Sequence, residues 1–431
     1  MSLTKKISIS FISRILSFTA AFAISVVVSR NFGPELYGTY RYILLLVSTS
    51  YLFSNIGFFQ SQNQLLARKK TNKDIVFFLN TIWSILLFLL IFGALIVYLK
   101  FKELGFLKLN TMVISLIYLF LFIQNSSVSL IISGLHKINQ FNIMNTLKVL
   151  ILLIFIVIQI QLNKFNLEVL LYGQILVSII YFIIALIIIR PSGTIKELVG
   201  SINGKLLKNI FKRGLIIQIS NLSAFLNYRL DMFLIKFFNN FSSLGIYSIA
   251  VQLVEKLWIL PQSIRNIIFL EIAGKRKDER FVCIICRITL FVLFLVSILI
   301  GLFSFKLIPL IYSIKYVDSI IPFILLLPGV LFFTLSKIIS SYFLGIDKIY
   351  INTISSVTSF IVNLIMNILL IPKYGIIGAS IATSVSYSIG AIIELRYFII
   401  ETKCTIKDII FIQKSDFTLL KLNIMKLIVK K

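Results

Sequence analysis

Charged side chains lie inside long apolar segments of this chain, where a charge is unfavourable unless it faces protein or water. One set of such residues has more basic members than acidic ones, so it would select an anion. Arginine suits phosphate in particular, because its planar fork bonds two oxygens at once. The sequence therefore predicts a hydrated, positive substrate site. The predicted basic members are Arg14, Arg41, Arg229, Lys256 and Arg265, with Asn227 and Gln252 as polar neighbours.

Two acids, Asp231 and Glu255, accompany these cations. We expect one of them to titrate or to bind a cation, which would couple the protein to a proton or sodium gradient. No other cofactor and no metal site is predicted, since the chain has one histidine and three cysteines. Cys283 and Cys286 have redox-type spacing, but they open an apolar segment and are interpreted as packing residues.

The elements that hold these residues are membrane helices. The 431 residues are 58% hydrophobic and 14% charged, with a mean hydropathy of +1.00, which excludes an ordinary soluble domain. The net charge of +27 does not indicate nucleic acid, because it sits in short segments between apolar runs. Those segments are instead expected to attract anionic lipid.

About twelve runs are long enough to cross a bilayer as helix, which takes about 20 apolar residues. Lys and Arg between the runs number 26 on one side and 9 on the other, so the positive-inside rule places both termini in the cytoplasm. The predicted spans are 8–29, 37–59, 75–99, 109–133, 143–162, 168–189, 213–238, 244–268, 281–305, 319–344, 352–371 and 376–399.

An internal repeat relates the two halves of the chain. Gly38 matches Gly245 at an offset of 207, Gly134 matches Gly345 at 211, and Tyr172-Gly173 matches Tyr374-Gly375 at 202. Six spans per repeat is an even number, so both halves share one orientation and a cavity is expected between them. The predicted organisation is a six-helix lobe at 1–190, a cytoplasmic linker at 191–212, a second lobe at 213–400 and a basic cytoplasmic tail at 401–431.

Structural alternatives remain for several members. Arg14 and Arg41 are close enough to span ends to snorkel to the headgroups, and Lys256 could pair with a carboxylate such as Asp231. The polar stripe of the eleventh span, from Asn352 to Asn367, is interpreted either as a wet face or as contacts that hold helices together. Lys337, in the tenth span, is a weaker member of the set.

Three stretches of the chain resemble a known family. They are SRNFGPELYGTY at 29–40, the seventh span with Asn227 and Asp231, and LGIY at 244–247. Over about residues 5–400 the chain is similar to the polysaccharide-biosynthesis branch of the MATE/MOP transporter superfamily, the Wzx-type flippases of O-antigen and capsule repeat units. The resemblance implies a bacterial inner-membrane protein with two six-helix lobes.

The function that the resemblance implies is the flipping of an undecaprenyl-diphosphate-linked oligosaccharide from the cytoplasmic to the periplasmic leaflet by alternating access. The polymerase and chain-length proteins of such a pathway are then expected partners. A drug or cation antiporter of the same superfamily is the first alternative, but it would need acids without competing Lys and Arg. A membrane polymerase would need a large external loop or a catalytic acid cluster, and a non-catalytic scaffold would not need polar stripes.

Overall fold

The computed structural model describes residues 3–69, 71–101, 108–192, 194–200, 204–273, 279–413 and 416, and within these ranges the chain forms helices and no strands. A 3₁₀ turn at Ile314–Ser319 separates two of the helices. The helices are α1 (Leu3–Asn55), α2 (Phe58–Ala67), α3 (Lys73–Phe101), α4 (Leu109–Gly134), α5 (Ile138–Gln161), α6 (Leu167–Ile189), α7 (Ile195–Gly200), α8 (Gly204–Phe238), α9 (Phe241–Lys256), α10 (Ile259–Ala273), α11 (Glu279–Tyr312), α12 (Ile320–Gly345), α13 (Ile349–Thr402) and α14 (Ile406–Ile410).

Eight of the described helices have the length and hydropathy of membrane spans. Two of them, Ile12–Asn55 and Ile349–Thr402, would each extend about twice the ~30 Å hydrocarbon thickness as straight helices. Each is bent instead, at Gly33 and at Gly375, and so makes two crossings. Together with α8 and the α9–α10 pair, which carry more polar residues, this confirms the predicted all-α membrane fold of about twelve spans.

The chain divides into two compact units, residues 1–222 and 223–431, and the division falls inside α8. Residues 213–222, which the sequence assigned to the second lobe, belong with the first unit. The cores of the first unit surround Phe59 and Ile132, and a core of the second surrounds Phe343.

The predicted repeat is visible in one matched turn. After α4 and after α12 the chain leaves the helix in the same way, with His136 at φ 57° and Asp347 at φ 62°. The next residue closes each turn, because Lys137 N donates to Ile132 O at 3.2 Å and Lys348 N donates to Phe343 O at 2.8 Å. The offset of 211 therefore joins equivalent positions.

The third predicted match is wrong. Gly173 lies inside α6, where it packs against Phe155, whereas Gly375 is the bend of α13 at φ 56°. The residue at the equivalent turn of the first unit is Asn163, at φ 55°, between α5 and α6. A left-handed turn accepts either glycine or asparagine, so matching the letters Tyr-Gly selected the wrong register.

The eighth predicted span is two helices rather than one. α9 ends at Lys256, Leu257 and Trp258 form a turn, and α10 begins at Ile259. Pro261 explains the break, because it lacks an N–H to donate to Leu257 O and its ring crowds that carbonyl. The charged end of α9 is thereby placed at the turn.

The second predicted span also stops early, because α1 ends at Asn55 rather than continuing to residue 59. Ile56 and Gly57 adopt positive φ values of 49° and 69°, and the Asn55 Oδ1 accepts a hydrogen bond from Phe59 N at 3.1 Å as α2 begins. At this point α2 approaches α8 closely, since a Cβ added to Gly57 would lie 2.0 Å from Gly214 O.

The first part of the C-terminal tail packs against α11. Arg287 donates from Nε and Nη2 to the two carboxylate oxygens of Asp416, at 2.8 and 2.7 Å, and from Nη1 to Asp408 O at 2.6 Å. The sequence predicted a basic cytoplasmic tail here and did not predict a partner for Arg287. Residues 414, 415 and 417–431 of that predicted tail lie outside the described residues.

Replacing Gly57 by alanine should lower the midpoint of thermal unfolding in detergent. The added Cβ would meet Gly214 O, and a positive φ strains a residue that has a side chain, by about 1–3 kcal/mol. Gly93→Ala is the matched control, because a Cβ there meets nothing within 4 Å and alanine favours helix. Equal midpoints for the two variants would contradict the close approach of α2 and α8.

Acid should weaken the Arg287–Asp416 contact. Burial alone would raise the pKa of Asp416, but hydrogen bonds from the Arg287 guanidinium and the Gln413 N–H hold that pKa below its usual range. Such a carboxyl stabilises the fold above its unfolded pKa and loses that contribution as pH falls through the folded value. The midpoint temperature of thermal unfolding should therefore decrease when the pH is lowered below about 4.

Asp416→Asn should lower the midpoint at neutral pH and remove this part of the pH dependence, as measured by thermal unfolding across pH. Glu401→Gln is the control, since Glu401 pairs with Lys348 at a partly exposed position, where ion pairs contribute little. If Asp416→Asn and Glu401→Gln changed stability equally at every pH, the buried pair would have no special role.

Candidate functional site

An ion pair joins the charged faces of α8 and α9 in the second unit. Arg229 Nη1 lies 2.9 Å from Glu255 Oε1, and each side chain is about a quarter exposed, 26% and 24%. Arg229 and Asp231 are two residues apart on α8 and so point to different sides of the helix. The charge of Arg229 is therefore balanced by Glu255.

Asp231 is buried, 2% exposed, and is bonded to neutral groups. Its carboxylate accepts hydrogen bonds from the Tyr247 hydroxyl at 2.5 Å, from the Met232 N–H at 2.7 Å and from the Thr383 hydroxyl at 3.4 Å. Its hydrogen bonds thus come from two hydroxyls and a backbone N–H.

The polar stripe of the eleventh span continues this network. Asn367 donates to Asn363 at 2.9 Å, Asn363 donates to Ser386 at 3.3 Å, and Ser386 donates to the backbone carbonyl of Thr383 at 2.9 Å. Both asparagines are fully buried. These residues hold the two halves of α13 together, which is the interpretation of the stripe as helix–helix contacts.

The other predicted members of the second unit lie around the same helices. Lys256 is the last residue of α9, and Gln252, one turn earlier, donates to Ser248 O at 3.1 Å. Asn227 on α8 is buried, and its Oδ1 has no hydrogen-bond partner among the described residues. Arg265 on α10 is exposed and is close enough to Tyr228, Glu394 and Lys337 to interact with them electrostatically.

Four aromatic side chains pack together at the turn between α9 and α10. The ring centroids of Phe333 and Tyr387 are 4.5 Å apart, those of Trp258 and Phe333 are 4.9 Å apart, and Tyr228 lies 5.6 Å from Phe333. We call Tyr228, Trp258, Phe333 and Tyr387 the aromatic cluster. The four side chains come from α8, the turn, α12 and α13, so the cluster joins four parts of the second unit.

Lys337 caps the aromatic cluster. Its ammonium lies 4.7 Å from the Phe333 centroid and 4.8 Å from that of Trp258, a cation–π arrangement. It forms no ion pair within the part of the chain that the structure describes. The indole N–H of Trp258, which is 7% exposed, likewise has no acceptor there. Two donors, one of them charged, thus lie together without an acceptor.

A small cavity runs between the acids and the aromatic cluster. It has room for about one water-sized species, far less than a diphosphate needs. Asp231 and Glu255 supply two carboxyl groups to its lining and Thr383 supplies a hydroxyl, so its chemistry suits a proton or one small cation. Its remaining lining residues are Tyr228, Val251, Val254, Trp258, Leu326 and Tyr387.

Arg14 and Arg41 lie in the first unit, at different levels of α1. Arg14 is exposed and precedes the bend at Gly33 by nineteen residues, whereas Arg41 follows it by eight. The two are therefore about 28 and 12 Å from the bend along their helix segments, and the structure does not bring them together. Arg41 Nε is buried without a hydrogen-bond partner among the described residues.

Sequence reasoning passed over Trp258 and Glu394 and ranked Lys337 low. Glu394, 3% exposed on α13, is a charged residue inside an apolar run, and this feature alone would have identified it as a candidate site residue. Trp258 carried no such signal, because an apolar aromatic residue in a membrane span is ordinary. Its significance depends on the break that Pro261 introduces three residues later.

A family of polysaccharide biosynthesis proteins matches residues 3–269 of the chain, well over half of its length. Two curated relatives are similar to shorter stretches. An uncharacterized membrane protein of Methanocaldococcus jannaschii, MJ1068, is 28% identical over 200 residues, which is 45% of this chain and 39% of that protein. The probable low-salt glycan biosynthesis flippase Agl15 of Haloferax volcanii is 20% identical over 229 residues, which is 51% of this chain and 48% of that protein.

The chain thus spans about half, or less, of the length of these curated relatives. Two solved structures share the fold over nearly the whole chain. The lipid II flippase MurJ in an inward closed conformation has a TM-score of 0.71 at 19% identity, covering 94% of this chain and 89% of that one. An inward-facing multidrug resistance MATE family transporter of the MOP superfamily has a TM-score of 0.73 at 15% identity, covering 89% and 94%. The chain belongs to the family of polysaccharide biosynthesis proteins and has the MATE/MOP transporter fold that its sequence resembles.

Proposed function

We propose that the chain flips an oligosaccharide joined through a diphosphate to a polyprenyl lipid, undecaprenyl in a bacterial cytoplasmic membrane, from the cytoplasmic to the outer leaflet. Family membership and the transporter fold support a membrane translocase of this kind. The name of the Haloferax volcanii relative, a probable glycan biosynthesis flippase, supports a glycan as cargo. The product would feed O-antigen, capsule or exopolysaccharide synthesis, where a polymerase and chain-length proteins use it.

The unpaired Lys337 ammonium beside the unpaired Trp258 indole N–H is the observation that carries the proposal. A diphosphate offers several charged acceptor oxygens, and hydrogen bonds to a charged group stabilise more than neutral ones do. Arg229 contributes less free charge, since Glu255 balances it at 2.9 Å. In this proposal Lys337 and Trp258, with Arg265 nearby, bind the diphosphate during its passage.

The aromatic cluster and its polar neighbours fit the sugar part of the same cargo. Aromatic side chains combine an apolar face with, in Tyr and Trp, a polar edge that bonds hydroxyl groups. Asn227 Oδ1 is a further buried acceptor without a partner among the described residues. A drug or cation antiporter, the first alternative, would leave Lys337 and Arg265 repelling the cargo.

Asp231 and Glu255 are proposed as the coupling groups. Both line the small cavity, and Asp231 is held by hydroxyls and a backbone N–H rather than by a cation. A carboxylate in that setting can take up a proton or a sodium ion without breaking an ion pair. Whether the site is open to one side of the membrane or to the other would then depend on whether Asp231 has bound the proton or sodium ion.

The orientation of the chain follows from its charge distribution. An excess of Lys and Arg on one side of the spans supports cytoplasmic termini, and the basic segments there would lie against anionic lipid. The diphosphate cargo would then be loaded from the basic side.

Lys337→Met should slow transport of a labelled lipid-diphosphate oligosaccharide in reconstituted vesicles by about tenfold or more, because one hydrogen bond to a charged group contributes ~1.5–3 kcal/mol. Lys337→Arg should keep most of the rate. Lys236→Met is the matched control, since Lys236 also lies over a ring, 4.2 Å from the Phe241 centroid, but at the end of α8. Wild-type rates for well-folded Lys337→Met would rule out this site.

Asp231→Asn should remove the effect of an ion gradient while leaving the fold intact, because asparagine keeps the shape and can still accept from Tyr247. In vesicles, a proton or sodium gradient should speed transport by the wild type and by Glu401→Gln but not by Asp231→Asn. Equal stimulation of all three proteins would show that Asp231 does not couple transport to the gradient.

A further inference from the structure

Lys148 is a charge halfway along a helix of the first unit, where the residue is partly exposed. It lies on α5, ten residues after Ile138 and thirteen before Gln161, or about 15 and 20 Å from the two ends along the axis. That depth is too great for a lysine side chain to reach either end of the helix. The ammonium lies 5.6 Å from the centroid of the Tyr181 ring on α6.

No carboxylate of the surrounding helices can neutralise this ammonium. The sequences of α4, α5 and α6 contain two charged residues, Lys148 and Glu168. The neighbouring α1 carries one carboxylate, Glu35, but it lies eighteen residues after Ser17, the residue of α1 that contacts Thr146 beside Lys148. Glu168 is at the far end of α6, about 20 Å from Tyr181 along the helix, where it accepts a hydrogen bond from Thr111 at 3.2 Å. Arg14 on the neighbouring α1 adds a second positive charge to this side of the first unit.

Polar atoms without partners lie on α4 and α6 at the level of Lys148. Asn125 on α4 donates to Ser178 O on α6 at 3.0 Å, which brings these two helices together one turn from Tyr181. The Tyr181 hydroxyl, the Ser178 hydroxyl and Asn125 Oδ1 are all buried and have no hydrogen-bond partner among the described residues. Ser129 lies near the Tyr181 hydroxyl, and it donates to Ser126 O at 2.9 Å, which leaves its lone pairs as a competing acceptor for Tyr181.

We propose that Lys148, with the hydroxyls of Tyr181 and Ser178, binds a small monovalent anion such as chloride inside the first unit. An ammonium and two hydroxyls are donors, and donors select an anion over a cation. Water would satisfy the hydroxyls but would leave the ammonium without a counter-charge in hydrocarbon. Tyr181 and Ser178 are 4% and 0% exposed, which favours a small ion as the ligand.

This anion site is separate from the site proposed for the cargo. It uses residues of α4, α5 and α6, whereas Lys337, Trp258 and Asp231 belong to the second unit. The anion would hold α5 against α6 by balancing Lys148, so its binding should be measurable as stability without any transport.

The test is thermal unfolding of the purified full-length protein in detergent, with sodium chloride, bromide or gluconate at constant ionic strength. Chloride and bromide should raise the wild-type midpoint in a saturable way, and gluconate, which is too large, should not. Lys148→Met should abolish the chloride response. Tyr181→Phe keeps the ring but loses the hydroxyl, and it should raise the half-saturating chloride concentration about tenfold.

Two controls keep the test decisive. Lys236→Met removes a ring-capped lysine of the second unit and should respond to chloride as the wild type does. If Lys148→Met fails to fold, Lys148→Arg, which keeps the charge, and Tyr181→Phe still report on the site. A wild type indifferent to chloride, an unchanged response in Lys148→Met or Tyr181→Phe, or a response to pH alone would overturn the proposal.

Discussion

An ionised side chain in hydrocarbon must face a partner, and this requirement organises the polar side of the second unit. Arg229 meets Glu255 at 2.9 Å, and Arg287 meets Asp416 at 2.7 Å. Asp231 meets hydroxyls instead of a cation. α8 and α9 are therefore joined by polar contacts, the Arg229–Glu255 pair and the bond from Tyr247 to Asp231. Among the described residues, Lys337, Arg265 and Glu394 form no ion pair, and the ammonium of Lys337 lies beside the unpaired indole N–H of Trp258, where a charged cargo gains the most.

The turn between α9 and α10 determines where the unpaired donors of Lys337 and Trp258 lie. A continuous helix would keep the Trp258 backbone in the ladder of hydrogen bonds, as in any ordinary span. The proline three residues later breaks the ladder, and the indole then lies among Tyr228, Phe333 and Tyr387. Non-helical backbone inside a membrane protein is tolerated where protein or water satisfies it. The break in the helix thus places a polar site, with its unpaired donors, at membrane depth.

The fold was largely predictable, because a helix in lipid satisfies its backbone hydrogen-bonding groups internally. Such a helix needs a long apolar run, which can be read directly from the sequence. The matched positions of the repeat were predicted correctly where the two turns have the same geometry, as at His136 and Asp347. The prediction was wrong at Gly173, where identical residue types were matched without regard to turn geometry. The charges of the site could be named, but their pairing could not. Whether Arg229 faces Glu255 or Asp231 depends on how α8 is rotated against α9, which hydropathy does not specify. The role of Lys337 depends on rings contributed by distant segments.

The clamp between Arg287 and Asp416 has a consequence for biosynthesis. The two residues are 129 positions apart, so a ribosome adding about 5–20 residues per second needs about 6–26 s to deliver the acid after the arginine. During that interval the guanidinium on α11 lacks its counter-charge. Chains whose translation stalls before the acid would keep a guanidinium that lacks this partner.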